Sequence, residues 1–75
     1  MVWIYKRDGV CLGLETRYDD KASEYVAVVC HPDGHRDTER FDRFRTFGAW
    51  LQAFEKRLET ERWEADLSTH VRRLV

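Results

Sequence analysis

The feature that most constrains the fold is that apolar residues occupy both alternating sets of positions along the first thirty residues. Trp3 and Tyr5 alternate with Val2 and Ile4, and the segment 24–30 repeats this mixture of aromatic and β-branched residues. Successive side chains of a β-strand point to opposite faces of a sheet, so such segments predict strands. A sheet with one face in water would carry polar residues on that face. We therefore expect a sheet that is apolar on both faces, each of which needs a cover.

Turn sequences divide this region into an antiparallel meander. Asp8 and Gly9 favour a tight two-residue hairpin, because glycine accepts a positive φ. We assign residues 18–23 to a polar loop, and residues 31–34 are typical of a further turn. The segment after it is heavily charged, as edge strands often are. The predicted strands are residues 2–7, 10–17, 24–30 and, as an optional fourth strand, 35–41, so the sheet has three to four strands.

Apolar residues at helical spacing follow the strands. They predict an amphipathic helix over about 46–59, with Thr46 as its N-cap. The helical spacing of the apolar residues is then interrupted. A second stripe of apolar residues at helical spacing begins at Trp63 and predicts a second, C-terminal helix over about 61–74. The stripe of the first helix consists of Phe47, Trp50, Leu51, Phe54 and Leu58. The sequence therefore predicts one α+β domain that comprises residues 1–75.

The predicted register assigns the side chains to faces. The first hairpin places Tyr5 opposite Leu12, and a second turn centred between residues 20 and 21 places Cys11 opposite Cys30. One face then carries Trp3, Tyr5, Val10, Leu12, Leu14, Tyr25, Ala27 and Val29, with Arg36 and Arg40. The other carries Val2, Ile4, Cys11, Gly13, Val26, Val28, Cys30 and Phe41. The first helix covers one face, and the second helix, a second copy or a partner covers the other.

No residue pattern predicts a catalytic centre, a metal site or a cofactor. Cys30, His31 and His35 carry metal-ligating atoms, but strand alternation points Cys30 and His31 to opposite sides, and the sequence has no C-x-x-C pair. We interpret the two thiols as buried and reduced, and the histidines as turn residues. Nothing supplies the paired acid, base or nucleophile that catalysis requires. The chain is predicted to be non-enzymatic.

Charge and hydropathy predict a location. The formal net charge is −1, and no apolar run approaches the length that spans a membrane. The N-terminal residues lack the pattern of a signal peptide. We therefore predict a cytoplasmic protein with no membrane association.

Two hypotheses for function follow. The first is a small non-enzymatic interaction or regulatory module that acts through an apolar sheet or helix surface, as a homodimer or with a protein partner. The alternative is nucleic-acid binding, with bases stacked on aromatic rings beside two arginines. The nearly balanced charge disfavours the alternative, because phosphate binding depends on accumulated positive charge. The candidate surface consists of Trp3, Tyr5, Tyr25, Arg36, Arg40 and Trp63.

Overall fold

Five antiparallel strands form one sheet, and one helix packs on one of its faces. The computed structural model describes residues 1–66. The strands are β1 (Val2–Arg7), β2 (Val10–Asp19), β3 (Glu24–Cys30), β4 (Arg36–Phe41) and β5 (Glu64–Ala65), and the helix is α1 (Phe44–Thr60). The strand order is β4-β3-β2-β1-β5. The predicted α+β class and meander are confirmed, and a short fifth strand joins the edge beside β1.

The first hairpin has the predicted turn and register. Asp8 and Gly9 have φ angles of 51° and 80°. Two consecutive positive φ values match the right-handed twist of the flanking strands, and this match is what makes the two-residue turn favourable. Tyr5 pairs with Leu12, as predicted.

The second hairpin differs from the prediction by two residues. Asp19 Oδ1 accepts hydrogen bonds from the backbone N–H groups two and three residues later, at 3.1 and 3.3 Å, and this holds a turn over residues 20–23. Cys30 therefore pairs with Gly13 and not with Cys11. The prediction that both thiols are buried was wrong, since Cys11 is exposed and Cys30 half-buried. Since the shift is an even number of residues, the side chains of β2 and β3 stay on their predicted faces.

The fourth strand is present, but its faces are the reverse of those predicted. The loop that joins β3 to β4 contains five residues, 31–35, and pairs Cys30 with Arg36. The predicted turn had four residues, 31–34, and the one additional loop residue exchanges the faces of the strand that follows. Arg36 and Arg40 consequently lie on the side of the sheet that carries Cys30, and Phe41 lies on the side that packs against α1.

The core lies between α1 and one face of the sheet, which we call the helix face. Phe41 and the apolar stripe of α1 meet there, and the stripe is the predicted one. The helix is polar on its other side, and no helix among residues 1–66 is long and apolar enough to cross a membrane. The buried residues of this core are Leu12, Leu14, Ala27, Val29, Phe47, Phe54 and Leu58.

The helix begins two residues before the predicted start. Arg43 is the N-cap residue, and its side chain makes no capping hydrogen bond. Thr46 lies inside the first turn, where its hydroxyl donates a hydrogen bond to the Arg43 carbonyl oxygen at 3.0 Å. The prediction of Thr46 as N-cap was therefore wrong, because its hydroxyl bonds backwards along the helix.

The helix ends in a Schellman motif. The Trp63 N–H donates to the Leu58 carbonyl at 2.9 Å, and the Arg62 N–H donates to the Glu59 carbonyl at 3.0 Å. Arg62 has a φ of 64°, the left-handed conformation that glycine normally supplies at this position. The chain reverses here and enters β5. The predicted second helix therefore does not begin at 61, and its remaining residues, 67–74, lie outside the described residues.

Candidate interaction surface

The sheet face opposite α1, which we call the open face, is apolar at its centre. Val2, Ile4, Gly13, Val28 and Cys30 are half-buried and lie on three neighbouring strands; we call them the apolar strip. The single helix of the described residues packs on the other face. No helix or strand described for this chain therefore covers the strip.

The strip consists of two rows that cross the sheet. Ile4, Gly13 and Cys30 are cross-strand partners in one row, with Gly13 in the middle. Two residues further along β2, Glu15 lies between its partners Val2 and Val28 in the next row. Cross-strand partners on one face have Cβ atoms about 4.5–5.5 Å apart. A half-buried carboxylate therefore lies between two valines.

Gly13 leaves a gap in the middle of the strip. A Cβ atom at this position would lie 3.6 Å from Cys30 Cβ and 3.8 Å from Ile4 Cδ1, which are ordinary van der Waals distances. The φ of Gly13 is not in the left-handed region, so the backbone accepts a side chain there. The glycine is thus required by neither conformation nor space within the described chain, and it gives the surface a hollow.

On β2 and β4, three charged side chains of the open face have no ion pair within residues 1–66. They are Glu15, Arg17 and Arg36. Arg40 differs, because its Nη1 lies 3.2 Å from a carboxylate oxygen of both Asp19 and Glu24. The first three charges are therefore available to a binding partner, whereas Arg40 is already neutralised.

Arg40 also helps to cover a buried valine. Val26 has no exposed surface although it lies on the open face, and its cross-strand partners are Arg17 and Arg40. Arginine stems cover apolar surface while the guanidinium stays in water. The pKa of Asp19 lies below its ordinary value, chiefly because the Ala22 N–H bonds its carboxylate and also because Arg40 does. At this end of the open face, Val26 is therefore covered and Arg40 is paired by residues of the same chain.

Three of the predicted surface residues belong to the helix face. Trp3, Tyr5 and Tyr25 are half-buried and pack against the core. Burial raises the pKa of Tyr5, and the nearby Glu55 carboxylate raises it further. Tyr25 stacks on Phe47 with ring centroids 5.1 Å apart. The rings thus serve mainly to fill the space beneath α1.

The other three predicted residues lie elsewhere. Arg36 and Arg40 are on the open face, so the sheet separates them from the rings beside which they were predicted. Trp63 packs against the core at the helix C-terminus, and the Arg7 guanidinium lies 4.5 Å above its ring. The six residues therefore do not form one continuous surface.

A second exposed apolar feature lies at the start of α1. Tyr18 and Phe44 are 48% and 68% exposed, and each makes an edge contact with Tyr25, at centroid distances of 4.9 and 5.6 Å. We call these three residues the aromatic corner. Sequence reasoning missed it, because Tyr18 was assigned to a loop and Phe44 lay before the predicted helix.

The β3–β4 loop holds two histidines on one carboxylate. Asp37 accepts hydrogen bonds from Nε2 of His31 at 2.8 Å and of His35 at 2.9 Å. These bonds, chiefly that from His31, lower the pKa of Asp37. No group of three or more His, Cys, Asp and Glu side chains in the described chain is arranged to hold a metal ion. The cluster thus ties the loop to the edge strand.

Comparison with protein-family models, with curated proteins and with solved structures gave no match to this chain.

Proposed function

We propose that the chain is a small non-enzymatic interaction module and that it binds another protein through the open face. The observation that carries this proposal is the apolar strip, which no described helix or strand covers, with Glu15 inside it and Arg17 and Arg36 beside it, all three without an ion pair in the described chain. Apolar surface gains free energy when it leaves water, at about 25 cal/mol per Å². A contiguous apolar patch with a polar border is the usual composition of a protein-binding surface.

The charges of the open face suit a protein better than a nucleic acid. Glu15 lies inside the strip, where it would meet the phosphates of any bound strand, and Arg40 is already paired with two carboxylates. Arg17 and Arg36 are then the remaining arginines of the open face, and the aromatic rings lie on the opposite side of the sheet. Binding to a phosphate backbone needs several unpaired cations on one surface. Charges of both signs instead provide specificity between proteins.

A site-specific photocrosslinker tests the proposal. Thr38 is exposed on the open face beside Val28, and Ala49 is exposed on α1. We expect p-benzoylphenylalanine in place of Thr38 to crosslink to protein in cells that express the chain, whereas the same group in place of Ala49 does not. Mass spectrometry identifies the product.

A bulky charge at the gap supplies the control. Gly13→Arg should abolish the crosslink from position 38, because the side chain projects into the strip, and Ala49→Arg should leave it unchanged. Equal crosslinking from both positions, crosslinking that survives Gly13→Arg, or products that contain only nucleic acid would contradict the proposal.

A further inference from the structure

We infer that the protein bound to the open face is a second copy of the same chain, in a two-fold symmetric pair of sheets packed face to face. This inference rests on the proposed function and names its partner. A two-fold interface uses the same patch on both copies, so the patch must be complementary to itself. The open face meets this requirement in its apolar rows, in its gap and in its charges.

The two rows of the apolar strip match when one copy is turned over. Consider a two-fold axis that lies between the two sheets, nearly perpendicular to the strands, and passes between the Gly13 row and the Glu15 row. Each strand then lies over its own equivalent, with the two rows exchanged. Val2 meets Ile4 of the other copy, and Val28 meets Cys30. Apolar residues thus face apolar residues, in the aligned packing that pairs of sheets adopt.

The same operation brings Glu15 over Gly13 of the other copy. A side chain opposite Glu15 would clash with it, and the missing side chain at Gly13 leaves room for it. Neither φ nor neighbouring atoms require glycine at this position within one chain. A symmetric pair accounts for the glycine, since the gap on each copy receives the carboxylate of the other.

In the symmetric pair, the Glu15 carboxylate also comes within reach of a cation of the other copy. Arg36 belongs to the Gly13 row and lies two strands away from it, on β4. Two strand spacings are about 9.6 Å and packed sheets lie about 10 Å apart, so the two Cα atoms are about 14 Å apart, a distance that an extended arginine and a glutamate span together. Glu15 and Arg36 have no ion pair within residues 1–66. The two-fold axis creates two such pairs, one along each row, and leaves neither charge unpaired.

The size of the face predicts a weak dimer. Four strands about 4.8 Å apart and four rows about 6.8 Å apart, the two rows of the strip and one row on either side of them, give a contact of about 500 Å² on each copy. The total of about 1,000 Å² is at the lower limit for specific interfaces. We therefore expect a dissociation constant on the order of 100 µM, so that the dimer forms at high concentration.

Charge exchange tests the pairing by sedimentation equilibrium. The wild-type chain should dimerise over a range of about 10 to 500 µM. Glu15→Arg and Arg36→Glu should each weaken the dimer at least about tenfold, because each places like charges together. The double variant E15R/R36E should recover most of the affinity. If either residue only stabilised the fold, the double variant would not recover dimer affinity. Circular dichroism checks that each variant is folded.

The aromatic corner supplies the matched control. Phe44→Ser removes the most exposed large apolar side chain of the described residues and leaves the open face intact, so it should not change the dimer. Loss of the dimer in Phe44→Ser with retention in Glu15→Arg would overturn the inference. So would a double variant that stays as weak as the single ones.

The crosslinking and sedimentation results separate the two proposals. A wild-type chain that stays monomeric at about 500 µM overturns the symmetric pair. If position 38 then crosslinks to a different protein, the proposed function stands with another partner. If position 38 crosslinks to nothing, both proposals fail.

Discussion

The neighbouring residues Val28 and Val29 test whether α1 covers only one face of the sheet. Val29 is 4% exposed and belongs to the core beneath α1, whereas Val28 is half-buried in the apolar strip. Replacing each by alanine removes the same two methyl groups from the same strand. The two substitutions therefore change β-propensity equally and differ mainly in what covers the side chain.

The packing of the core gives the size of the effect. Two buried methyl groups contribute about 1.6 kcal/mol of transfer free energy, and the cavity left beneath α1 adds to this. We expect Val29→Ala to lower the free energy of unfolding by about 2–3 kcal/mol. A chain of this length has only about 4–11 kcal/mol in total. Val28→Ala should cost less than about 1 kcal/mol, since its side chain has fewer contacts to lose.

Urea and thermal unfolding at low micromolar concentration, where the dimer is dissociated, measure both values through tryptophan fluorescence. Val29→Ala should lower the melting temperature by about 10–20 °C, and Val28→Ala by no more than about 5 °C. The slope of the unfolding free energy against urea concentration should stay unchanged in both variants, because the surface exposed on unfolding hardly changes. Equal losses for the two variants would refute the assignment of the faces.

Three further predictions concern local features. Arg62→Gly should stabilise the chain by about 0.5–1 kcal/mol in thermal unfolding, because Arg62 has a φ of 64°; a loss of stability would contradict the Schellman end. Gly48→Ala should stabilise by a similar amount, about 0.5–1 kcal/mol, since no heavy atom outside the adjacent helix backbone and the neighbouring residues lies within 4 Å of the added Cβ and the helical backbone accepts alanine; an unchanged melting temperature would contradict this. Because the folded pKa of Asp19 is lowered, its carboxylate stabilises the fold above its unfolded pKa, near 4, and this contribution is lost as pH falls through the folded value. Asp19→Asn should therefore flatten the decline of stability below about pH 5, and an unchanged acid dependence would show that the turn does not hold the carboxylate.

Local sequence signals predicted the first half of the fold well. The turn at Asp8 and Gly9 fixes the first register because its conformation allows only one pairing. The second register was displaced because the side chain of Asp19, and not the composition of the loop, decides where that turn lies. The β4 faces were reversed because composition does not reveal whether a loop has four residues or five.

The end of α1 carried no signal that could be recognised. A Schellman motif is normally predicted from a glycine, and here Arg62 occupies that position. The apolar spacing beyond it therefore predicted a second helix, although Glu64 and Ala65 pair with β1.

The candidate surface could likewise be predicted only in part. That both faces are apolar could be predicted from alternation, but the place of Arg36 and Arg40 depended on one loop residue.

Methyl NMR as a function of concentration tests most directly whether the open face associates with itself. Between about 10 and 500 µM the methyl signals of Ile4 and Val28 should shift continuously, while those of Leu14 and Val29, buried beneath α1, should stay fixed. The same series with Gly13→Arg should show no shift. Shifts confined to residues around the aromatic corner, or an absence of shifts at Ile4 and Val28 in the wild-type chain, would contradict the account.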